Sequence, residues 1–385
     1  MSEIDLKRFL FDGPPPQAVG NLESLAEGER ERLLMSGIDS TETGHSATFL
    51  HLDRGGVYCN TRVPGLEVCT IQEALDRYGE ARDFLWQLVD PEQDPFTRTV
   101  RDSLQGGYFV RVARGVRIPD PVQSCLFMKT ERVGQSVHNL IILEEGAEVH
   151  IVTGCVTSRR ELHGAHLGVT ELYVGKRARL TLTMIHNWGE NVYVRPRSAG
   201  VVDEGGVVQN NYILLTPVRS LQMDPVLRLD GRGARCRFNS VMVAPPGSHV
   251  DVGGRVFLNA PETAAEIISR SVTTGGAMHV RGLISGNAAP ARGHLECRGL
   301  ILGGGTIHAV PELEGRREGL ELSHEAAVGR IARDELEYLM ARGLDEEEAV
   351  STIVRGFLNV DIMGLPVKLR AALDDVVGTA AGDSL

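Results

Sequence analysis

Between about Val122 and Pro311 the chain alternates short β-branched, apolar runs with polar turns that carry glycine, and no convincing helix of three turns interrupts them. Turns of one type recur: Glu145-Gly146-Ala147-Glu148, Gly175-Lys176-Arg177-Ala178, Glu204-Gly205-Gly206-Val207 and Gly231-Arg232-Gly233-Ala234. With Gly146, Gly175, Gly205 and Gly233 as markers, the intervals are 29, 30 and 28 residues. A near-constant period marks a repeat architecture. Units made of strands without helices point to a parallel β-helix, in which each coil stacks on the one before. Even strand spacing also fits an antiparallel sandwich or jelly roll, and the periodicity alone leaves both open.

The flanks read differently. Residues 1–120 are expected to be a mixed helix-and-loop region, with apolar residues at helical spacing over Leu22–Ser36 and Ile71–Val89. Pro91 and Pro95 break the second pattern. From His324 onward HEAAVGRIARDELEYLMARGL predicts a helix, with Gly343 as its C-terminal stop. Asp345 is a candidate N-cap for the next helix, DEEEAVSTIVRGFLNV, and a last short one is expected from Pro366 to Val377. The expected division is a mixed N-terminal region at 1–120, a β core at 121–311 and a C-terminal helical domain at 312–385.

Composition narrows the function. A net charge of −11 without a dense basic run argues against a nucleic-acid groove. No run of eighteen apolar residues predicts a membrane span, and the first residues lack the apolar stretch of a signal peptide, so a cytoplasmic protein is expected. The six cysteines, at 59, 69, 125, 155, 236 and 297, include no Cys-x-x-Cys and fit no contiguous zinc or ferredoxin spacing. In a reducing compartment they are free thiols, and any cluster must be assembled across space or across chains.

The densest candidate chemistry lies in ECRGLILGGGTIHAVPELEGRREGLELSHEAAVGRI, from Glu296 to Ile331. It offers Cys297, His308, His324 and Glu325. Thiolate and imidazole favour iron, zinc and copper(I) over magnesium. Each residue also has an ordinary role: a lone cysteine in a β-rich segment is most often a small buried hydrophobe, and a glutamate opening a helix suits the helix dipole. His163-Gly-Ala-His166 has a metal-like spacing without a following acid, and His186-Asn-Trp188 ends an apolar strand. Gly303-Gly304-Gly305 is not followed by Gly-Lys-Ser/Thr, so no nucleotide loop is read there.

Taken in order, these segments resemble the SufB/SufD family of iron–sulfur cluster assembly proteins, SufB more than SufD. The resemblance spans about Val137 to Pro366. It rests on HNLIILEEGAEVHIVTGC (138–155), ELYVGKRARLTLTMIHNWGENVY (171–193), GSHVDVGGR (247–255) and IISRSVTTGGAMHVRGLI (267–284), then on ECRGLIL, HAVP, SHEAAVGRI and ARGLDEEEAVSTIVRGF. It implies a mainly β protein, a right-handed parallel β-helix with helical terminal regions. It also implies a scaffold for nascent clusters in complex with an ABC-type ATPase, SufC, docked through the C-terminal helices. By position, Cys297 and Glu325 match the family's cluster-assembly thiol and carboxylate. His324 and His308 match histidines of the shared interface and of the His-Thr-Val-Pro turn, and Cys155, His186 and Trp188 match residues of a sulfur path through the coil. The sequence departs from the family pattern where His186 replaces a glutamine, Arg195-Pro196-Arg197 replaces Thr-Lys-Arg, and Glu314-Gly315-Arg316 replaces Glu-Cys-Arg.

One thiolate with a carboxylate or imidazole under-ligates a cluster that prefers four thiolates, which suits a scaffold that must release its product. The expected working form is therefore a non-catalytic scaffold. It would hold a labile iron–sulfur cluster between two subunits, as a homodimer or a SufD-like heterodimer, with ATP turnover in the SufC partner and reduced flavin as a further candidate cofactor. The rival readings are a SufD-like structural partner without a cluster and a β-helix carbohydrate-active enzyme.

Overall fold

The structure, a computed structural model, describes residues 4–358; the helix expected at Pro366–Val377 lies outside them. About eight turns of a parallel β-solenoid form the body, with helices towards both ends. One sheet stacks Val122–Met128, Glu148–Thr157, Arg179–Asn187, Val207–Leu214, Arg235–Ala244, Thr263–Thr273, Ala291–Ile301 and Leu320–Gly329 in that order. The facing sheet includes Val133–Leu143, His163–Val174, Ala277–Gly286 and, at its end, Thr306–Gly315. All these neighbours pair in parallel, as in Val122 with Ile151, Val207 with Arg235, and Ala291 with Leu320. The sandwich and jelly-roll alternatives, which need antiparallel ladders, are excluded.

The period has a local cause. In each coil one turn residue takes the left-handed conformation: Gly115, Gly146, Arg177, Gly205, Gly233 and Glu262, all with φ between 54° and 70°. The amide of each donates to a carbonyl of a neighbouring turn in the stack, as in Gly146 N to Lys176 O and Gly205 N to Arg232 O. Gly175, used as a marker in the sequence, is not the stacked residue. It is small because a Cβ there would lie 2.8 Å from the Leu143 carbonyl of the preceding coil. Arg177 occupies the left-handed place.

Residues alternate between two apolar compartments. Along Ala291–Ile301, Leu295 and Cys297 point into the space between the sheets with Ile267 and Ile284, whereas Leu300 points outward. Outside, Leu300, Val272, Val243 and Val241 are covered by Val350, Val354 and Leu358 of the helix Glu346–Leu358. Each of these helix side chains gains about 2 kcal/mol on burial, so this helix belongs to the core of the fold.

Several expectations are corrected. The N-terminal region also contains four strands, Ala47–Leu52, Gly55–Thr61, Leu66–Thr70 and Tyr108–Val112, which begin the two sheets. The helix expected over Ile71–Val89 ends at Arg77, and a single turn follows at Ala81–Phe84. Beyond it the amides of Trp86, Leu88 and Val89 donate to the buried Glu171 carboxylate, which also meets His138 Nε2 at 2.8 Å. That carboxylate captures the donors a continuing helix would use.

The helix expected from His324 begins at Arg333, and Leu320–Gly329 is a strand. Leu320, Leu322, Ala326 and Val328 also alternate at period two, and the exposed edge of Ala291–Ile301 templates that reading. The Gly343 and Asp345 signals hold: Gly343 has φ +100°, and Asp345 and Glu348 exchange backbone-to-side-chain hydrogen bonds of 2.8 and 3.1 Å.

Gly233 offers a clean test of the turn ladder, because a Cβ there meets nothing within 4 Å and any penalty is backbone strain alone. Gly233→Ala is expected to lower stability by ~1 kcal/mol and Gly233→Asn by less, read from denaturant midpoints. Equal stability of all three proteins would contradict the turn assignment.

Candidate functional site

The last two coils carry Cys297, His308, His324 and Glu325, and the pleat decides which of them share a surface. Cys297 pairs with Ser269 below and Ala326 above, and its side chain points inward, 1% exposed. Burial pushes its thiol up to about 11, with the neighbouring Glu296 carboxylate adding to the effect and Arg270 opposing it. An isolated Cys297 is thus a thiol at neutral pH and must lose its proton to bind iron.

His324 sits on the same inward side, diagonally above Cys297, since its register partner is Leu295. It is exposed because no further coil covers it among the described residues. Glu325 is in register with Glu296 and therefore projects from the opposite face of the sheet. There it meets Arg298 at 2.7 Å; Arg298 also holds Glu296 at 2.7 Å, and Arg270 holds Glu296 at 2.8 Å. His308 lies on the outer face of the other sheet, its ring stacked 5.1 Å from His279.

The sequence thus placed four ligating residues close together in the chain, and the fold distributes them over three surfaces. Cys297 and His324 share the inner face, whereas Glu325 and His308 do not join them. Among the described residues no group of three or more His, Cys, Asp and Glu side chains is arranged to hold a metal ion.

The second set of residues does come together. Cys155 is in register with His186, both inside the coil. The His186 ring lies 5.6 Å from Trp188 and 5.0 Å from Tyr212, whose hydroxyl is 2.9 Å from His186 Nδ1. His166 stacks 5.1 Å from Trp188 on its other side and meets Gln135 Oε1 at 2.8 Å. Burial pushes the Cys155 thiol well up and holds the His186 imidazole well below its ordinary range, with His166 adding to the latter. His166 is pushed down to about 3 and His51 to about 4, burial leading in both. The metal-like His163/His166 spacing is dissolved by the pleat: His163 faces solvent beside Glu131, while His166 is internal. An interior cavity beside Tyr212, about 40 Å³, is too small for a flavin ring, and no flavin step is derived.

Tyr212, His166, Gln135, His279 and Arg298 were not singled out in the sequence. One coil separates several of them from their partners: His279 and His308 are 29 residues apart, and Gln135 and His166 are 31 apart. The repeat period was the signal that could have found them.

Residues 126–357 match the family described as "SUF system FeS cluster assembly, SufBD core domain". The chain belongs to the SufBD family. It is 41% identical over 376 residues to an "Iron-sulfur cluster assembly SufBD family protein" of Methanothermobacter thermautotrophicus, covering 96% of this chain and 92% of that one. A protein of the same name from Archaeoglobus fulgidus is 42% identical over 358 residues, covering 93% and 96%. The "Iron-sulfur cluster assembly protein SufB" of Bacillus subtilis is 31% identical over 301 residues, covering 77% of this chain and 64% of that protein. Among the described residues of this SufBD protein no helix is long and apolar enough to cross a membrane.

The buried imidazoles set an acid limit. His51 and His166 are neutral when folded and gain protons on unfolding near their ordinary value of 6.5. Their contribution is complete above that value and is lost as pH falls from 6.5 towards about 4 and about 3. His51 alone accounts for ~3 kcal/mol across the window. Denaturant midpoints between pH 7 and pH 4 are expected to fall less steeply in His51→Gln than in the wild type; parallel slopes would exclude His51 as a source.

Proposed function

We propose that this SufBD protein is an assembly scaffold whose cluster site is completed by a second subunit at the open end of the solenoid. The observation that carries the reading is the last coil. Thr306–Gly315 and Leu320–Gly329 each pair on one side only, and Cys297 lies one coil beneath them with Ala326 above it. Two unpaired parallel edges with exposed Val310 and Val328 invite strand pairing with another chain. A two-fold pairing would bring two copies of Cys297 and His324 to one seam, and would give Glu325 and His308 a second surface to meet.

Iron and sulfide are cargo here. Cys297 supplies a thiolate once iron displaces its proton, and His324 supplies nitrogen from the same face. Glu325 is available to iron when Arg298 lets go of it, and that exchange gives the site a route for release. A SufC-type ATPase would dock on the C-terminal helices, and its ATP turnover would shift the seam. The helix Arg333–Met340 buries none of its residues and exposes Tyr338 and Met340, at 58% and 42%, which makes it the docking element. The homodimer follows from the self-complementary edges; a SufD-like partner fits the same edges.

Anaerobic reconstitution with iron and sulfide tests the site. The wild type is expected to develop cluster absorption and Cys297→Ala to lose most of it. The reading fails if both proteins hold the same cluster or neither holds any. Docking is tested by Tyr338→Glu together with Met340→Glu, which leave the buried helix Glu346–Leu358 in place. Co-purification with the ATPase should drop at least tenfold while the melting temperature stays within about 2 °C; undiminished co-purification would move docking elsewhere.

A further inference from the structure

Two ring nitrogens inside the coil have no hydrogen-bond partner among the described residues: Trp188 Nε1 and His186 Nε2. Their residues are 0% and 2% exposed, with ring centroids 5.6 Å apart. The Tyr212 hydroxyl has only His186 Nδ1 as an acceptor within the described structure, so it donates there. A neutral imidazole that accepts at Nδ1 carries its proton on Nε2. Trp188 and His186 therefore present two N–H donors to an interior that supplies no acceptor. Folding disfavours that arrangement unless a bound molecule accepts from them.

Tyr212 also lines a cavity of about 40 Å³, together with Met184, Met223, Leu182, Leu227 and Phe238. The volume suits a molecule of two or three heavy atoms at most and excludes a peptide, a nucleotide or a carrier protein's persulfide tail. Its wall is thioether, aromatic and aliphatic, which favours a neutral, polarisable solute over an ion. Met184 is only partly buried, so the cavity lies close to the flank of the solenoid. On its inner side Tyr212 connects it to His186, which is in register with the Cys155 thiol.

We propose that Trp188, His186 and Tyr212 form an internal binding site for free sulfide, which enters as hydrogen sulfide past Met184 and Tyr212. The sulfur accepts from Trp188 Nε1–H and His186 Nε2–H, and Tyr212 is a positioning residue that fixes the imidazole tautomer. Binding is non-covalent: no bond forms or breaks, no electron moves, and no oxidant is required. The inference rests on the proposed scaffold role and names the sulfur species that such a chain would accept.

Trp86→Phe leaves Trp188 as the single tryptophan of a chain that has two. Labelled with ¹⁵N at the indole, this variant is titrated anaerobically with sodium sulfide and, at matched pH and ionic strength, with sodium chloride. A saturable shift of the Trp188 indole resonance with sulfide and none with chloride supports the site. Tyr212→Phe is expected to weaken sulfide binding about tenfold, the worth of one buried hydrogen bond. Ser198→Leu, which narrows the cavity, is expected to slow uptake about tenfold by stopped-flow Trp188 fluorescence. An indole resonance that ignores sulfide, or moves equally with chloride, means that the two donors hold water, and overturns the inference. Cluster reconstitution in the same samples separates the two readings. Clusters without sulfide binding overturn the sulfide site alone, and sulfide binding without clusters overturns the scaffold role while the site stands.

Discussion

Everything in this molecule depends on the in-register parallel pairing of one coil with the next. A single coil of about 29 residues cannot bury its own apolar side chains or satisfy its own backbone donors; the neighbouring coils do both. The left-handed turn residues make this explicit. The amide of Gly146 reaches the Lys176 carbonyl and that of Gly205 reaches the Arg232 carbonyl, so the turns form a ladder of their own beside the strands. A shift of one residue in any coil would break that ladder and exchange inward with outward side chains along the whole strand.

The same pleat partitions the chemistry. Cys297 and Glu325 are one coil apart, yet Glu325 is in register with Glu296 and so belongs to the outer, solvent-facing network with Arg298 and Arg270. The thiol belongs to the apolar interior, where burial keeps it protonated. This division gives the coil two separate compartments for handling cluster components. Sulfur-bearing and uncharged groups lie inside; charged groups that exchange partners lie outside. They can meet only where the solenoid stops and its interior opens.

The open end is therefore both the weakest and the most useful part of the fold. Its two terminal strands lack a partner on one side and carry exposed Val310 and Val328. In a protein built to stand alone, such edges would be covered or charged. In an assembly scaffold the exposed edges allow a seam between subunits to form and open while the stacked coils stay fixed.

The sequence by itself determined the solenoid, because the repeat is local: turn residues and β-branched runs return every 28 to 31 residues. It also determined the C-terminal capping signals at Gly343 and Asp345 and the presence of cysteine and histidine chemistry near both ends of the β region. It misplaced Leu320–Gly329, which fits period two and period 3.6 alike; only the exposed edge of the preceding coil resolves the choice in favour of a strand. The fate of Ile71–Val89 was likewise out of reach, since the Glu171 carboxylate that captures its amides lies more than 80 residues away. Which side chains share a compartment was decided by the tertiary structure alone. Closeness in the sequence placed Cys297, His308, His324 and Glu325 together, and strand alternation separated them; separation by one coil concealed Tyr212, Gln135 and His279, and register brought them to their partners. Side-chain direction depends on register, and register is a property of the stacked coils.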